Sequence, residues 1–179
     1  MTISMYAASV PVFKQILGSL SEILSKAEMH ATAKKIDPNA MLQARLFPDM
    51  FPLTRQIMIA ADFAKGACAR LAGAEVPKYD DNEQTFDELK ARIAKTISFI
   101  DTLEPNRIDG SEDRDIITSA GPNAKSFKGQ AYLLSYALPQ FFFHATTAYA
   151  ILRHNGVEIG KKDFMGKYQD QLKDPPHPD

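Results

Sequence analysis

The feature that most constrains the fold is a run of 24 consecutive residues, Gly129 to Leu152, that contains no Asp, Glu, Lys or Arg. A run of this length could cross a bilayer, which requires about 20 apolar residues. It has Pro139 near its middle, however, and it includes polar side chains that are costly in lipid. These side chains are Gln130, Ser135, Gln140, His144, Thr146 and Thr147. We therefore expect a buried helix of a bundle rather than a membrane span.

The apolar residues of this run are spaced as on one face of an α-helix. At about 100° per residue, six of them fall within one arc about 80° wide. They are Leu134, Leu138, Phe141, Ala145, Tyr149 and Leu152. Asn155-Gly156 follows, and glycine commonly stands just past a helix end because it adopts positive φ without steric cost. Pro139 is expected either to kink this helix or to mark its start.

Three further segments have the same three- and four-residue periodicity and predict helices. The first begins at residue 4 or 9 and ends at residue 30, and the second covers residues 53–72. The third begins after a capping box formed by Thr85 and Glu88, in which each side chain binds an otherwise unpaired backbone amide, and it ends before Pro105. Four amphipathic helices without a convincing sheet predict an all-α four-helix bundle.

The segments between and after these helices complete the predicted organisation. Residues 105–128 predict a long crossover before the fourth helix, with room for one small hairpin around Ile116 to Thr118. Residues 164–172 could form a short helix. The last six residues, 174–179, include three prolines and are expected to be disordered. We therefore predict one domain over residues 1–173 followed by a disordered tail.

The charge and the cysteine content exclude several classes of function. With 21 basic and 22 acidic side chains, the formal net charge is −1, so no basic surface for nucleic acid or an anionic membrane is expected. Cys68 is the only cysteine, which rules out an internal disulfide and a cysteine-cluster zinc site. The first residues lack the charged start and apolar run of an export signal. A reduced, cytoplasmic location fits this pattern.

Two sequence segments carry a resemblance to a known family. One is Arg45-Leu46-Phe47-Pro48-Asp49-Met50, before the second helix. The other is Leu138-Pro139-Gln140-Phe141-Phe142-Phe143-His144, which continues to Ile151-Leu152-Arg153-His154-Asn155-Gly156-Val157. On these motifs the chain resembles the DinB-like superfamily of helical bundles, in a bacterial branch described only as a domain of unknown function. The resemblance covers nearly the whole chain and implies the same bundle fold.

The resemblance also implies a place for a divalent metal. Members of the superfamily commonly bind one through three histidines, one on the second helix and a His-x-x-x-His pair on the fourth, and some catalyse thiol transfer. His144 matches the first histidine of the pair, but Ala148 stands where the second is expected, and the second helix has no histidine. The resemblance therefore implies a pocket with an incomplete metal site, in which His144 is the one matched ligand.

Five residues are candidates for lining that pocket: His144, Gln56, Asp62, Gln140 and Tyr149. His144 lies on the flank of the apolar stripe, where a neutral imidazole could act as a ligand or general base. The alternative is a core histidine whose hydrogen bonds are satisfied within the protein. Asp62 could join His144 at a metal or proton-transfer site, or it could form a surface ion pair with Lys65.

Three functions are compatible with these residues. The first is a bundle protein that binds a small molecule in a pocket between helices and has a degenerate metal site. The second is a metal-dependent transferase or hydrolase that uses His144 and nearby carboxylates. The third is a homodimeric interaction module that pairs through an exposed apolar strip of the first or fourth helix. The sequence leaves open whether the protein is an enzyme.

Overall fold

Four long helices form the body of the protein in the computed structural model, which describes residues 3–118, 122 and 124–167. In chain order, the helices are α1 (Val10–Lys34), α2 (Pro38–Leu42), α3 (Leu53–Leu71), α4 (Phe86–Asp101), α5 (Pro105–Ile108), α6 (Gly129–Tyr132), α7 (Leu138–His154) and α8 (Lys161–Met165). The strands β1 (Asp115–Ile117) and β2 (Ser126–Lys128) lie between α5 and α6. The prediction of an all-α bundle with one small hairpin is confirmed. The expected tail, residues 174–179, lies outside the described residues.

The four long helices α1, α3, α4 and α7 enclose one hydrophobic core. Helices α1 and α3 each pack against both α4 and α7, so the order around the bundle is α1, α4, α3, α7. Phe13 of α1 meets Phe141 of α7 edge to face in this core, with ring centroids 4.9 Å apart. Among the described residues, no helix is long and apolar enough to cross a bilayer.

The ends of several helices follow the sequence signals. Thr85 and Glu88 form the predicted capping box at the start of α4, and Gly73, with φ of +63°, follows α3. Helix α1 continues to Lys34, four residues beyond the predicted end, because Ala31 extends the buried stripe by another turn. Helix α8 covers Lys161–Met165, so it begins and ends earlier than the predicted helix over residues 164–172, of which residues 168–172 lie outside the described residues.

The uncharged run forms one continuous helix of three parts, α6, a π-helical turn over Leu133–Ala137, and α7. The π-helical turn accommodates an extra residue, which rotates the preceding side chains by about 100° relative to an uninterrupted α-helix. For this reason the predicted stripe was wrong at Leu134, which is 51% exposed, while Leu133 is buried. Pro139 lies in the first turn of α7, directly after the π-helical turn, so the backbone hydrogen bond that proline cannot donate is missing at the junction of these two parts.

The crossover between α4 and α6 contains the predicted hairpin. Strands β1 and β2 are antiparallel, and Ile116 pairs with Phe127 at the centre of the register. Ile116 is buried against the bundle, whereas Ile117 points outward and is exposed. The hairpin therefore lies against the bundle next to the start of α6, which brings Thr118 close to the end of α3.

Candidate functional site

His144 of α7 and Gln56 of α3 form a buried hydrogen-bonded pair. The two side chains are 8% and 1% exposed, and His144 Nδ1 lies 2.7 Å from Gln56 Oε1. Gln56 Nε2 donates to the carbonyl oxygen of Phe51 at 3.1 Å, so Oε1 is left as the acceptor towards the histidine. The proton of neutral His144 therefore lies on Nδ1, and Nε2 keeps its lone pair.

Aromatic rings enclose the imidazole of His144. Phe63 of α3 stacks on it with ring centroids 6.0 Å apart and planes 15° apart, and Phe143 meets it edge to face. Burial lowers the pKa of His144 below its usual value, and the nearby charge of Arg55 lowers it further. The imidazole is therefore neutral at pH 7. The sequence alternative of a hydrogen-bonded core histidine agrees with this environment.

This burial predicts a pH dependence of stability that is specific to His144. The unfolded chain takes up a proton near pH 6.5, whereas the folded protein does so only at a lower pH. Stability should therefore fall as the pH drops below 6.5, with a slope of at most about 1.4 kcal/mol per pH unit from this group. In melting curves at pH 7.5 and 5.5, the variant His144→Gln should lose less stability between the two pH values than the wild type. An equal loss in both proteins would contradict the prediction.

The residues around His144 do not fit a divalent metal ion. Ala148, four residues further along α7, is buried in the core and offers no ligand atom. Asp62, the carboxylate proposed to join His144, instead accepts hydrogen bonds from Lys65 at 2.9 Å and Arg92 at 2.8 Å. Within the described ranges, no three His, Cys, Asp or Glu side chains are grouped so as to hold a metal ion.

A separate cavity lies beside the carboxyl-terminal half of α3, and we call it the α3 pocket. It has a volume of about 210 Å³ and is lined by Asp62, Phe63, Arg70, Thr118, Tyr132 and Tyr136. Arg70 Nη2 donates to the carbonyl oxygen of Thr118 at 2.7 Å, and Nη1 donates to the Tyr132 hydroxyl at 3.2 Å. These contacts fix the guanidinium between the hairpin and α6.

Gly66 makes room for this position of Arg70. The two residues are four apart on α3, and a Cβ atom on residue 66 would lie 2.5 Å from Arg70 Nη1. The guanidinium therefore lies directly over the backbone of the preceding helical turn. A side chain at residue 66 would therefore force the guanidinium to shift from this position.

The walls of the α3 pocket are aromatic. Tyr132 and Tyr136 stack with centroids 5.9 Å apart and planes 29° apart, and Phe63 meets Tyr136 edge to face at 5.9 Å. Phe127 of β2 lies against Tyr136 with centroids 5.2 Å apart. Burial raises the pKa of Tyr132, so its hydroxyl stays protonated at neutral pH. Because Phe63 also stacks on His144, it separates the α3 pocket from the His144–Gln56 pair.

The five residues that were predicted from the sequence to line one pocket lie at different places in the structure. It brings His144 and Gln56 together and places Asp62 at the α3 pocket. Gln140 is half-buried in the first turn of α7 and does not line that cavity, and Tyr149 packs against Phe164 of α8. Arg70 was not among the residues predicted from the sequence. Gly66, four residues before an arginine on a helix, is the one local signal that could have indicated it.

The fold defines the class of protein: an all-α four-helix bundle with a pocket beside α3. The family model described as "Domain of unknown function (DUF1993)" matches residues 5–165, and the chain belongs to that family. The structure is similar to the crystal structure of a DinB family member protein from Shewanella denitrificans, with a TM-score of 0.86. The two chains are 38% identical over 94% of this chain and 95% of that one. No curated protein matches the chain.

Proposed function

We propose that this protein binds a small molecule in the α3 pocket. The observation that carries the proposal is Arg70, whose guanidinium is held in place by Thr118 and Tyr132 beside a wall of aromatic rings. Small-molecule sites are concave and mostly apolar, with a few fixed polar groups that orient the ligand. The α3 pocket is more polar than this average, but it combines aromatic rings with polar groups that are positioned before any ligand arrives, which lowers the entropic cost of binding.

A metal-dependent transferase or hydrolase centred on His144 has less support. Such an enzyme needs a set of ligands, and Asp62, the nearest candidate carboxylate on α3, is bound to two cations. His144 itself has Nδ1 engaged by Gln56 and its ring covered by Phe63. These contacts favour a structural role for the histidine and leave ligand binding to the α3 pocket.

The variant Gly66→Ala tests the proposal because it acts on Arg70 without removing it. Alanine is favoured over glycine inside a helix by about 1 kcal/mol, so the fold should be retained. The new Cβ should displace the guanidinium and weaken ligand binding at least tenfold. The wild type and Gly66→Ala would be titrated with fragments that include carboxylates, amides and amines, and binding would be detected by NMR of the protein. We expect fragments to bind at the α3 pocket of the wild type and to bind more weakly to Gly66→Ala.

Gly18→Ala is the matched control for this experiment. Gly18 lies inside α1, and a Cβ atom there would meet no atom within 4 Å. This variant should bind the same fragments as the wild type. Fragments that bind Gly66→Ala as tightly as the wild type, or no fragment at the α3 pocket at all, would overturn the proposal.

A second function, homodimerisation, has its own support in an apolar surface at the opposite end of α3. Leu46, Phe47, Phe51 and Phe143 are between 43% and 63% exposed, and Leu46 and Phe143 line a groove of about 460 Å³ along α7. Exposed apolar groups of this kind mark interaction surfaces. The groove lies on the uncharged run, so two copies can bring the same face together without opposing like charges. We therefore propose a second copy of the chain as its partner.

Sedimentation of two variants tests the dimer. Phe143→Asp places a charge in the groove, whereas Met29→Asp places one on an exposed apolar residue of α1 that is 63% accessible. We expect the wild type and Met29→Asp to sediment as dimers at micromolar concentration and Phe143→Asp as a monomer. A monomeric wild type, or a dimer that Phe143→Asp leaves intact, would contradict this assignment.

A further inference from the structure

We infer that the α3 pocket takes a small aromatic carboxylate, with its acid group on Arg70 and its ring against Tyr136 and Phe63. This inference rests on the proposed function and specifies the class of ligand. It is carried by the hydrogen-bond partners of Arg70, by the charges around the pocket and by the size and lining of the cavity.

Arg70 already has two hydrogen-bond partners in the protein. Both are neutral oxygen atoms, the Thr118 carbonyl and the Tyr132 hydroxyl, and no carboxylate of the described residues forms an ion pair with it. A guanidinium has five N–H donors, so these two bonds leave three. A carboxylate is the partner that such a planar cation binds best, because two parallel N–H groups match its two oxygens.

The charges around the cavity favour an anionic ligand. Asp62 is the one acidic residue of the lining, and its charge is already compensated by Lys65 and Arg92. Lys125 Nζ lies 5.2 Å from the ring centroid of Tyr136 and adds a second cation beside this tyrosine of the lining. An anionic ligand therefore meets uncompensated positive charge, whereas a cationic ligand meets a carboxylate that has its partners.

The size and lining of the cavity favour a ligand with a single flat ring. At about 210 Å³, it is smaller than the roughly 300–1,000 Å³ that is typical of sites for drug-sized ligands. The partly exposed rings of Tyr136 and Phe63 favour a flat ring, which can stack on them or meet them edge to face. A single aromatic ring that bears one carboxylate meets these requirements.

Three probes of nearly equal shape, benzoate, benzamide and benzylamine, test the charge preference directly. Calorimetric titration of the wild-type protein should give the tightest binding for benzoate, at least tenfold tighter than benzamide, because a hydrogen bond to a charged group contributes more than a neutral one. Benzylamine should bind more weakly than either. This comparison needs no variant, so it does not depend on the folding of a mutant chain.

Two variants then assign the preference to Arg70. Arg70→Gln should remove the advantage of benzoate over benzamide, whereas Arg70→Lys, which keeps the charge but not the planar fork, should retain part of it. Melting curves verify that both variants are folded. If benzoate and benzamide bind the α3 pocket equally well, the ligand class is wrong while the proposed pocket stands. If none of the three probes binds but other fragments do, the aromatic carboxylate is likewise excluded. An absence of all fragments from the α3 pocket overturns both proposals.

Discussion

Replacing Gly129 with alanine is expected to lower the free energy of unfolding by about 3 kcal/mol, at the upper end of what overpacking usually costs. A Cβ atom at this position would lie 1.9 Å from the carbonyl oxygen of Ser111 and 3.4 Å from that of Glu112. The crossover backbone runs directly over Gly129, and the amide of Gln130 donates to the Glu112 carbonyl at 2.9 Å. Because both contacts are backbone, the crossover itself must move to admit the methyl group.

Thermal melting checks this expectation. For a chain of this length, about 3 kcal/mol corresponds to a fall in melting temperature of roughly 6–12 °C. Gly18→Ala is again the control, because the space around Gly18 is open and alanine should raise the stability of α1. A Gly129→Ala variant that melts with the wild type would show that the crossover does not pass over α6 as described.

Replacing Arg92 with methionine is the second substitution that is expected to lower the free energy of unfolding by several kcal/mol. Arg92 of α4 is 3% exposed, and its guanidinium donates to Glu83 and Asp62 at 2.8 Å each and to Asp81 at 3.1 Å. It thereby joins α4 to α3 and to the connection between them. Removing one partner of a buried ion pair costs about 3–5 kcal/mol, and we expect about 2–3 kcal/mol here because solvent screens Asp62 and Asp81, which are 37% and 41% exposed.

Denaturant unfolding of Arg92→Met measures this loss, and Lys128→Met is the control. Lys128 pairs with Asp115 on the exposed face of the hairpin, so its replacement should leave stability unchanged.

The pH supplies a second check. The pKa of Asp81 is lowered by its hydrogen bond from Arg55 and further by the charge of Arg92, so its stabilising contribution is present above pH 3.8 and is lost below that value. The difference in the free energy of unfolding between the wild type and Arg92→Met should therefore become smaller at acidic pH. A difference that is absent at pH 7 would contradict the role of Arg92.

The helices could be predicted from the sequence because their signals are local. The spacing of Phe141, Ala145 and Leu152 fixes the buried face of α7, and Thr85 with Glu88 fixes the start of α4. The π-helical turn could not be predicted in this way. Its extra residue is stabilised by packing against α3 and the hairpin, and no residue of the turn itself indicates it. The prediction therefore failed at Leu134, one turn before the regular helix resumes.

The candidate site also combines residues that the local sequence indicates with contacts that depend on the packing of distant segments. The sequence identified His144 and Gln56 separately, because each flanks the apolar face of its own helix. Their hydrogen bond depends on how α3 and α7 are rotated against each other, which the packing of the whole bundle decides. The α3 pocket depends on a still longer connection, since Thr118 reaches Arg70 across 48 residues of chain. Periodicity within a helix contains no information about that contact.

The most direct test of the account is to locate bound ligand on the protein itself. Isotope-labelled protein would be titrated with benzoate, benzamide and benzylamine in turn while the NMR signals of Thr118, Tyr132 and Tyr136 are followed. We predict that at least one probe shifts these three signals together, and that benzoate does so at the lowest concentration. Shifts confined to Phe143 and the groove along α7, or no shift at the α3 pocket with these probes or with any fragment of the wider set, would contradict a small-molecule site on α3.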